Sequence, residues 1–188
     1  MGFYDESENV DKYIEMCEGY DGSNLYQVLQ DNLMNGARVL ELGSGPGFDI
    51  PFLSEHYDVT GSDYSDEFIN RCKEKFPDIP FMKIDALNIH VSEKFDCIYS
   101  NKVLHHLTES ELAKSLSQQA EALIEGGIVA HTFWMGTENQ EIEGMLFTYY
   151  IQDKLIDIIS EKFEVIATLS YKEFEDSDSL FVIAKLKS

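Results

Sequence analysis

Along residues 37–134, short apolar runs alternate with stretches in which apolar residues recur every three or four positions. "RVLEL" (38–42), "YDVTGSD" (57–63), "PFMKIDA" (80–86), "KFDCIYSN" (94–101) and "GIVAHTFW" (127–134) have the length and residue types of buried strands. Between them, "FDIPFLSEHY", "SDEFINRCKEKF" and "TESELAKSLSQQAEALI" read as helices. Ser65 is placed to cap the second of these, ahead of Phe68, Ile69, Cys72 and Phe76. Thr108 and Glu111 have capping-box spacing in the third, which the pattern closes at Gly126 and Gly127. Upstream, "SNLYQVLQDNLM" sets Leu25, Val28, Leu29 and Leu33 on one helical face behind Ser23 as cap. Downstream, "IQDKLIDIISEKF" predicts one more helix, and "EVIATLSYKE" and "SLFVIAKLK" a hairpin about the acidic turn "FEDSDS". Strands alternating with helices give an α/β sandwich with a mostly parallel sheet, here of seven strands with an antiparallel strand from the C-terminal hairpin.

Composition narrows the function classes. A chain of 188 residues without a low-complexity linker is most simply a single domain, 1–188. Its net charge of −21 repels nucleic-acid phosphates and anionic membrane surfaces, leaving small molecules or cationic partners. No apolar run reaches the roughly 20 residues that span a bilayer. The acidic N-terminus lacks the basic and apolar regions of a signal peptide. Cys17, Cys72 and Cys97 form no CxxC pair and suggest a reducing, cytoplasmic setting; Cys97 lies in a strand pattern and reads as core. The histidines and carboxylates show no metal-ligand spacing, so no metal is expected.

The candidate chemistry centres on "ARVLELGSGPGFDI" (37–50), where three glycines follow the first strand. In an open α/β sheet such a turn lies at the carboxyl ends of the strands, where ligands bind, and its glycines let a ligand approach the backbone. A tight turn serving packing alone is the other reading. The spacing is GxGxG; the final position of the GxGxxG dinucleotide fingerprint falls on Phe48. Asp63 ends the second strand, twenty residues beyond Gly43, where a carboxylate can accept ribose hydroxyls or cap the next helix. Asp85 ends the third, where it can take an adenine amino group or form a turn. Glu41 either supports the glycine loop or touches the ligand.

"VLELGSGPG", "VTGSDYS", "IDAL" and "FDCIYSNKVLHHL", in this order and spacing, resemble the class I S-adenosylmethionine-dependent methyltransferases from about Arg38 to the C-terminus. The resemblance implies a Rossmann-like sandwich, with residues 36–188 as the core and 1–35 as an N-terminal helical lid. It implies S-adenosylmethionine as cofactor and S-adenosylhomocysteine as product. It places the backbone of Gly43, Ser44 and Gly45 against the methionine portion and ribose, Asp63 on the ribose and Tyr64 on the adenine. Asp85 and the Ala86 backbone then meet the adenine, and Asn101 the methionine amino group; Tyr13 or Tyr20 closes over them. His105 and His131, after the fourth and fifth strands, are candidate general bases, with His106 expected in the packing. Phe133, Trp134, Phe147, Tyr149 and Tyr150 are either walls of an acceptor pocket or core and lid residues, and the 136–150 loop is a candidate second lid. "SNKV" stands where amino-methylating DNA enzymes carry an Asn/Asp-Pro-Pro-aromatic motif, which favours a small-molecule acceptor; a monomer or homodimer is expected. The alternatives are an S-adenosylmethionine-binding protein without turnover and an NAD-dependent oxidoreductase; Phe48 and Asp85 argue against the second.

Overall fold

The computed structural model describes Tyr4 and residues 6–188; the remaining part of the expected N-terminal lid, residues 1–3 and 5, lies outside them. The chain forms nine strands and six α-helices among these residues. The strands are β1 (Arg38–Leu42), β2 (Asp58–Asp63), β3 (Phe81–Lys83), β4 (Phe95–Ser100), β5 (Leu123–Trp134), β6 (Gln140–Ile142), β7 (Met145–Phe147), β8 (Phe163–Tyr171) and β9 (Ser179–Leu186). The helices are α1 (Ser7–Met16), α2 (Ser23–Asn32), α3 (Ile50–His56), α4 (Asp66–Lys75), α5 (Glu109–Ala122) and α6 (Gln152–Ser160). Seven strands build the main sheet in the order β3-β2-β1-β4-β5-β9-β8. β1 pairs in parallel with both β2 and β4, while β9 runs antiparallel to β5 and β8. The expected α/β sandwich with a reversed C-terminal strand is therefore the observed architecture.

Period-2 alternation explains why the strands stay in register. Leu40, Leu42, Ile98, Val129 and Phe133 face one layer with Leu112 and Leu116 of α5 and Leu155 and Ile159 of α6. Val39, Cys97, Tyr99, Ile128 and Ala130 face the other with Leu25, Leu29, Ile50, Leu53, Ile69 and Cys72 of α2, α3 and α4. A slip of one residue would exchange these faces. Strand order reverses between β1 and β4, so the loops leaving their carboxyl ends diverge and leave a crevice. That crevice positions the site.

Several local expectations are met in the geometry. Ser65 accepts the Phe68 N–H, and Thr108 and Glu111 complete a reciprocal capping box. Others are corrected. Ser23 donates to Asp21 instead of capping α2, whose N-cap is Gly22. α5 ends at Ala122, and Leu123 already pairs with Phe95, while the next ladder partners are Cys97 and Ile128. Gly126, at φ +73°, and Gly127 thus accommodate an irregular stretch of β5 rather than close a helix. Segment 140–147 is a small hairpin, β6–β7, turning through Glu143 and Gly144 with φ of +52° and +78°.

Ile98 is fully buried beneath α5, whereas Ile166 on the edge strand β8 is 43% exposed. Ile98→Ala should lower unfolding stability by about 2–5 kcal/mol. Ile166→Ala should stay within about 0.5 kcal/mol of the parent. Urea unfolding of both variants checks the pair, and similar losses would contradict the core described.

Candidate active site

Packing and backbone conformation fix the turn after β1. Gly43, Gly45 and Gly47 have φ of +68°, +49° and +74°, a region that side chains disfavour. A Cβ on Gly47 would lie 2.7 Å from the Phe76 ring, so that glycine serves packing on α4. At Gly45 the nearest atom to a Cβ would be Tyr13 Cε1 at 3.8 Å, so its backbone faces open space. Ser44 donates its N–H to the Ser62 carbonyl at 2.7 Å, and its hydroxyl accepts the Ser62 N–H at 3.1 Å. The turn is thereby clamped to β2. Asp63 completes the clamp: one carboxylate oxygen accepts the Gly45 N–H at 2.9 Å and the other the Ser65 N–H at 2.8 Å.

Above this turn lies a cavity of about 540 Å³. Gly43, Gly45, Asp63, Tyr64, Asp85, Ala86, Asn101 and Tyr13 line it, eight of the nine residues expected to meet a cofactor. Ser44 does not line it; its hydroxyl is turned to β2. Asp85 also forms the alternative turn, accepting the Leu87 N–H at 2.8 Å. Tyr4 and Tyr13 stand over the cavity against Phe68, with ring centroids 5.3–5.9 Å apart. Arg71 of α4 holds α1 there through Asp11 at 2.6 Å and Ser7 at 2.7 Å. The rest of the wall includes Val103, His106, Leu107, Glu111 and the hairpin residues Gly144–Leu146.

Behind the glycine turn sits a buried acidic pair, Glu41 and Asp49. Asp49 accepts Tyr26 Oη at 2.6 Å, Tyr20 Oη at 3.0 Å and Asn101 Nδ2 at 3.1 Å. Among the described residues Glu41 Oε2 has no hydrogen-bond partner. Burial, then the neighbouring Asp49, pushes the Glu41 carboxyl up to about 8. Burial also raises Asp49, against the hydrogen bonds it receives. Among the described residues no group of three or more His, Cys, Asp or Glu is placed to hold a metal ion.

Comparison with known proteins bears on the same residues. A family described as "Methyltransferase domain" matches residues 39–127, the stretch that carries β1 to the start of β5 and most of the cavity. The matched stretch, just under half of the chain, is similar to a methyltransferase domain. Trans-aconitate 2-methyltransferase of Agrobacterium fabrum is 32% identical over 109 residues, 56% of this chain and 41% of that protein. Phosphatidylethanolamine N-methyltransferase of Cereibacter sphaeroides is 31% identical over 101 residues, 50% of this chain and 49% of that one. The match thus spans about half the length of either curated relative. In fold, the chain is similar to 1,6-didemethyltoxoflavin-N1-methyltransferase of Burkholderia thailandensis, solved with 1,6-didemethyltoxoflavin and S-adenosylhomocysteine. The TM-score is 0.81 at 16% identity, over 97% of this chain and 87% of that one.

Within this methyltransferase fold, the two histidines expected as bases do not reach the cavity. His105 is buried, neither ring nitrogen has a partner, and its ring packs on His106, Phe147 and Trp134. His131 is held on both sides, Nδ1 to Ser100 Oγ at 2.8 Å and Nε2 to Gln119 Oε1 at 2.7 Å. Burial pushes it down to about 3, so it stays neutral as a core crosslink. Of the two readings of the aromatic candidates, the structure takes the one away from the cavity: Phe133 and Tyr150 are core, Phe147 backs the histidines, Trp134 stacks on Phe174, and Tyr149 packs beside Gly136. Tyr20 joins the Asp49 network instead of the cavity wall. The histidine that lines the cavity is instead His106, which was expected in the packing. A 3₁₀ turn over Leu104–His106 points the first ring inward and the second to the cavity, a choice that a "HH" pair does not reveal.

The Glu41 geometry sets a pH dependence. In the unfolded chain a glutamate ionises near 4.3. In the folded protein Glu41 keeps its proton up to about 8. The folded state therefore binds the extra proton across that window, and this contribution lowers stability as pH rises through it. Glu41→Gln should remove that slope, gaining on the parent between pH 5 and pH 8 in denaturant titrations. Parallel stability curves would show that Glu41 ionises normally.

Proposed function

We propose that this chain moves a methyl group from S-adenosylmethionine to a small-molecule acceptor held in the same cavity. The observation that carries the reading is that the ends of β1, β2 and β3 and the loop after β4 deliver Gly45, Asp63, Asp85 and Asn101 to one cavity. Their chemistry fits the cofactor: exposed glycine backbone at a tight turn, two carboxylates to accept hydroxyl and amino hydrogens, and an apolar surface between them. Asp63 would hold the ribose and Asp85 with the Ala86 backbone the adenine, with Tyr64 at the rim. Gly43, Gly45 and Asn101 would hold the methionine portion, beneath Tyr13. When bound, S-adenosylmethionine supplies a methyl carbon already activated by its sulfonium.

What remains for the protein is alignment and exclusion of water. Tyr4, Tyr13 and Phe68 supply an aromatic cover, and Arg71 fixes the helix that carries it. The acidic surface argues against a nucleic-acid acceptor. All three cysteines are free, in keeping with a cytoplasmic setting. No helix among the described residues is long and apolar enough to cross a membrane. The two curated relatives are named for different acceptors, trans-aconitate and phosphatidylethanolamine, so the acceptor class has to come from the cavity itself.

Melting the protein with S-adenosylhomocysteine, S-adenosylmethionine and NAD added separately tests the reading. A ligand at about 100 times its dissociation constant adds about 2.7 kcal/mol. For a domain of this size that is a rise of about 5–10 °C. The two sulfur nucleosides should give it and NAD should not. Asp63→Ala and Asp85→Ala should each reduce it; the second variant is needed because Asp63 also clamps the glycine turn. A rise with NAD alone would overturn the assignment.

A further inference from the structure

The part of the cavity wall around His106 and the β6–β7 hairpin has a polarity that selects among acceptors. His106 Nδ1 lies 2.8 Å from the Leu146 carbonyl oxygen, which can only accept. The proton of the neutral ring is therefore on Nδ1, and Nε2 carries a lone pair. Among the described residues no hydrogen bond is made to Nε2, and the ring lines the cavity. Glu111, one turn into α5, lines it as well; its Oε2 is committed to Thr108, and those bonds hold the carboxyl below its ordinary range. Lys102 is the one lysine or arginine among the described lining residues, and its ammonium faces away. Nζ lies 2.7 Å from Ser179 Oγ, 3.3 Å from Glu173 and 3.2 Å from the centre of the Trp134 ring. Val103, Leu107, Met145 and Leu146 complete the wall with apolar surface.

This part of the wall thus offers a lone pair, a carboxylate and apolar contacts, with no cation turned to an anionic acceptor. On the methyltransferase reading, on which this rests, we infer that the acceptor is an amine with an apolar body, and that His106 is its proton acceptor. A carboxylic acid would meet Glu111 and a ring nitrogen that cannot donate. Burial opposes a charge on His106, so Nε2 is free at neutral pH. The balance is complete: the amine nitrogen's lone pair forms the new N–C bond. The C–S bond breaks with its electrons left on sulfur; an amine that arrives as an ammonium first gives one N–H proton to His106 Nε2, which frees that lone pair, and the product leaves as the methylated ammonium. The negative surface of the whole molecule draws protonated amines toward the opening.

The experiment uses the full chain with benzylamine, phenethylamine and histamine as probes, against benzoate and trans-aconitate. Binding to the protein saturated with S-adenosylhomocysteine is read by calorimetry, and turnover by release of S-adenosylhomocysteine from S-adenosylmethionine. Amines should bind and turn over, and the acids should do neither. His106→Gln, which retains an acceptor atom but not a base, should lower kcat by about 10²–10⁴-fold. It should also remove the acid limb of the pH profile, a change that loss of packing alone would not make. Amines that fail to bind the loaded protein, acids that bind in their place, or a His106→Gln variant with unchanged kcat and pH profile would each overturn the inference. If the parent protein does not respond to S-adenosylhomocysteine at all, it is the cofactor reading that fails, and the melting experiment already separates that result.

Discussion

Two backbone N–H groups from different loops, those of Gly45 and Ser65, converge on the single carboxylate of Asp63. The glycine turn has three residues at positive φ, and beyond the close packing of Gly43 and Gly47 it has little side-chain material to hold its shape. Asp63 supplies that shape from the neighbouring strand. It is delivered there because β1 and β2 pair in parallel and in register, Leu42 opposite Ser62. Ser62 and Ser44 add two bonds one residue earlier, so the clamp continues the sheet ladder. The cavity floor is in this sense the last rung of the sheet, and its precision derives from a core buried on both faces.

The same logic explains a less favourable feature, two acids buried side by side. Asp49 stands at the start of α3, where an aspartate ordinarily accepts the first free N–H groups of the helix. Here it makes no such cap and instead gathers Tyr20, Tyr26 and Asn101. Tyr26 stacks on Phe52 of α3 at 4.0 Å between centroids. Asp49 thereby docks the N-terminal segment and α2 onto the sheet at the point where the loop after β4 departs. The electrostatic penalty falls on Glu41, which the fold accommodates by keeping it protonated. A buried polar network of this kind fixes one arrangement of three elements more narrowly than apolar contacts would.

How far the sequence could be read follows from how local each determinant is. Strands β1, β2, β4 and β5 were legible because alternation between two cores leaves a period-2 record in the chain, and the Ser65 and Thr108 caps because their partners are three residues away. Asp63 and Asp85 were legible through their position at strand ends. Ser23, Gly126 and Gly127 misled because the same residue types serve caps, turns and bulges, and the choice depended on Asp21 and on the β4 ladder. The hairpin at 140–147 was not legible, since its turn is Glu-Gly and its strands are three residues each. The histidines failed for the same reason: which of two adjacent rings faces the cavity is decided by Leu146, forty residues away.

Lys102 shows how a distant charge can set the cavity wall. Its φ of +55° is uncommon for a residue with a side chain, and its N–H is held by Thr132 Oγ1 at 2.8 Å. The ammonium end is drawn under the β8–β9 turn by Ser179 and Glu173, although burial lowers its proton affinity to about 8. That turn is itself organised by Asp178, whose carboxylate accepts the N–H groups of Glu173, Phe174 and Glu175 at 2.8–2.9 Å. The chain of constraint runs from Asp178, through Glu173 and Ser179, to Lys102 and its neighbours Asn101 and Val103 in the cavity wall. The acidic turn between the last two strands is thus more than a connection. It draws the Lys102 ammonium away from the cavity while fixing the backbone that carried it there, so the wall beside His106 and Glu111 is built without that charge.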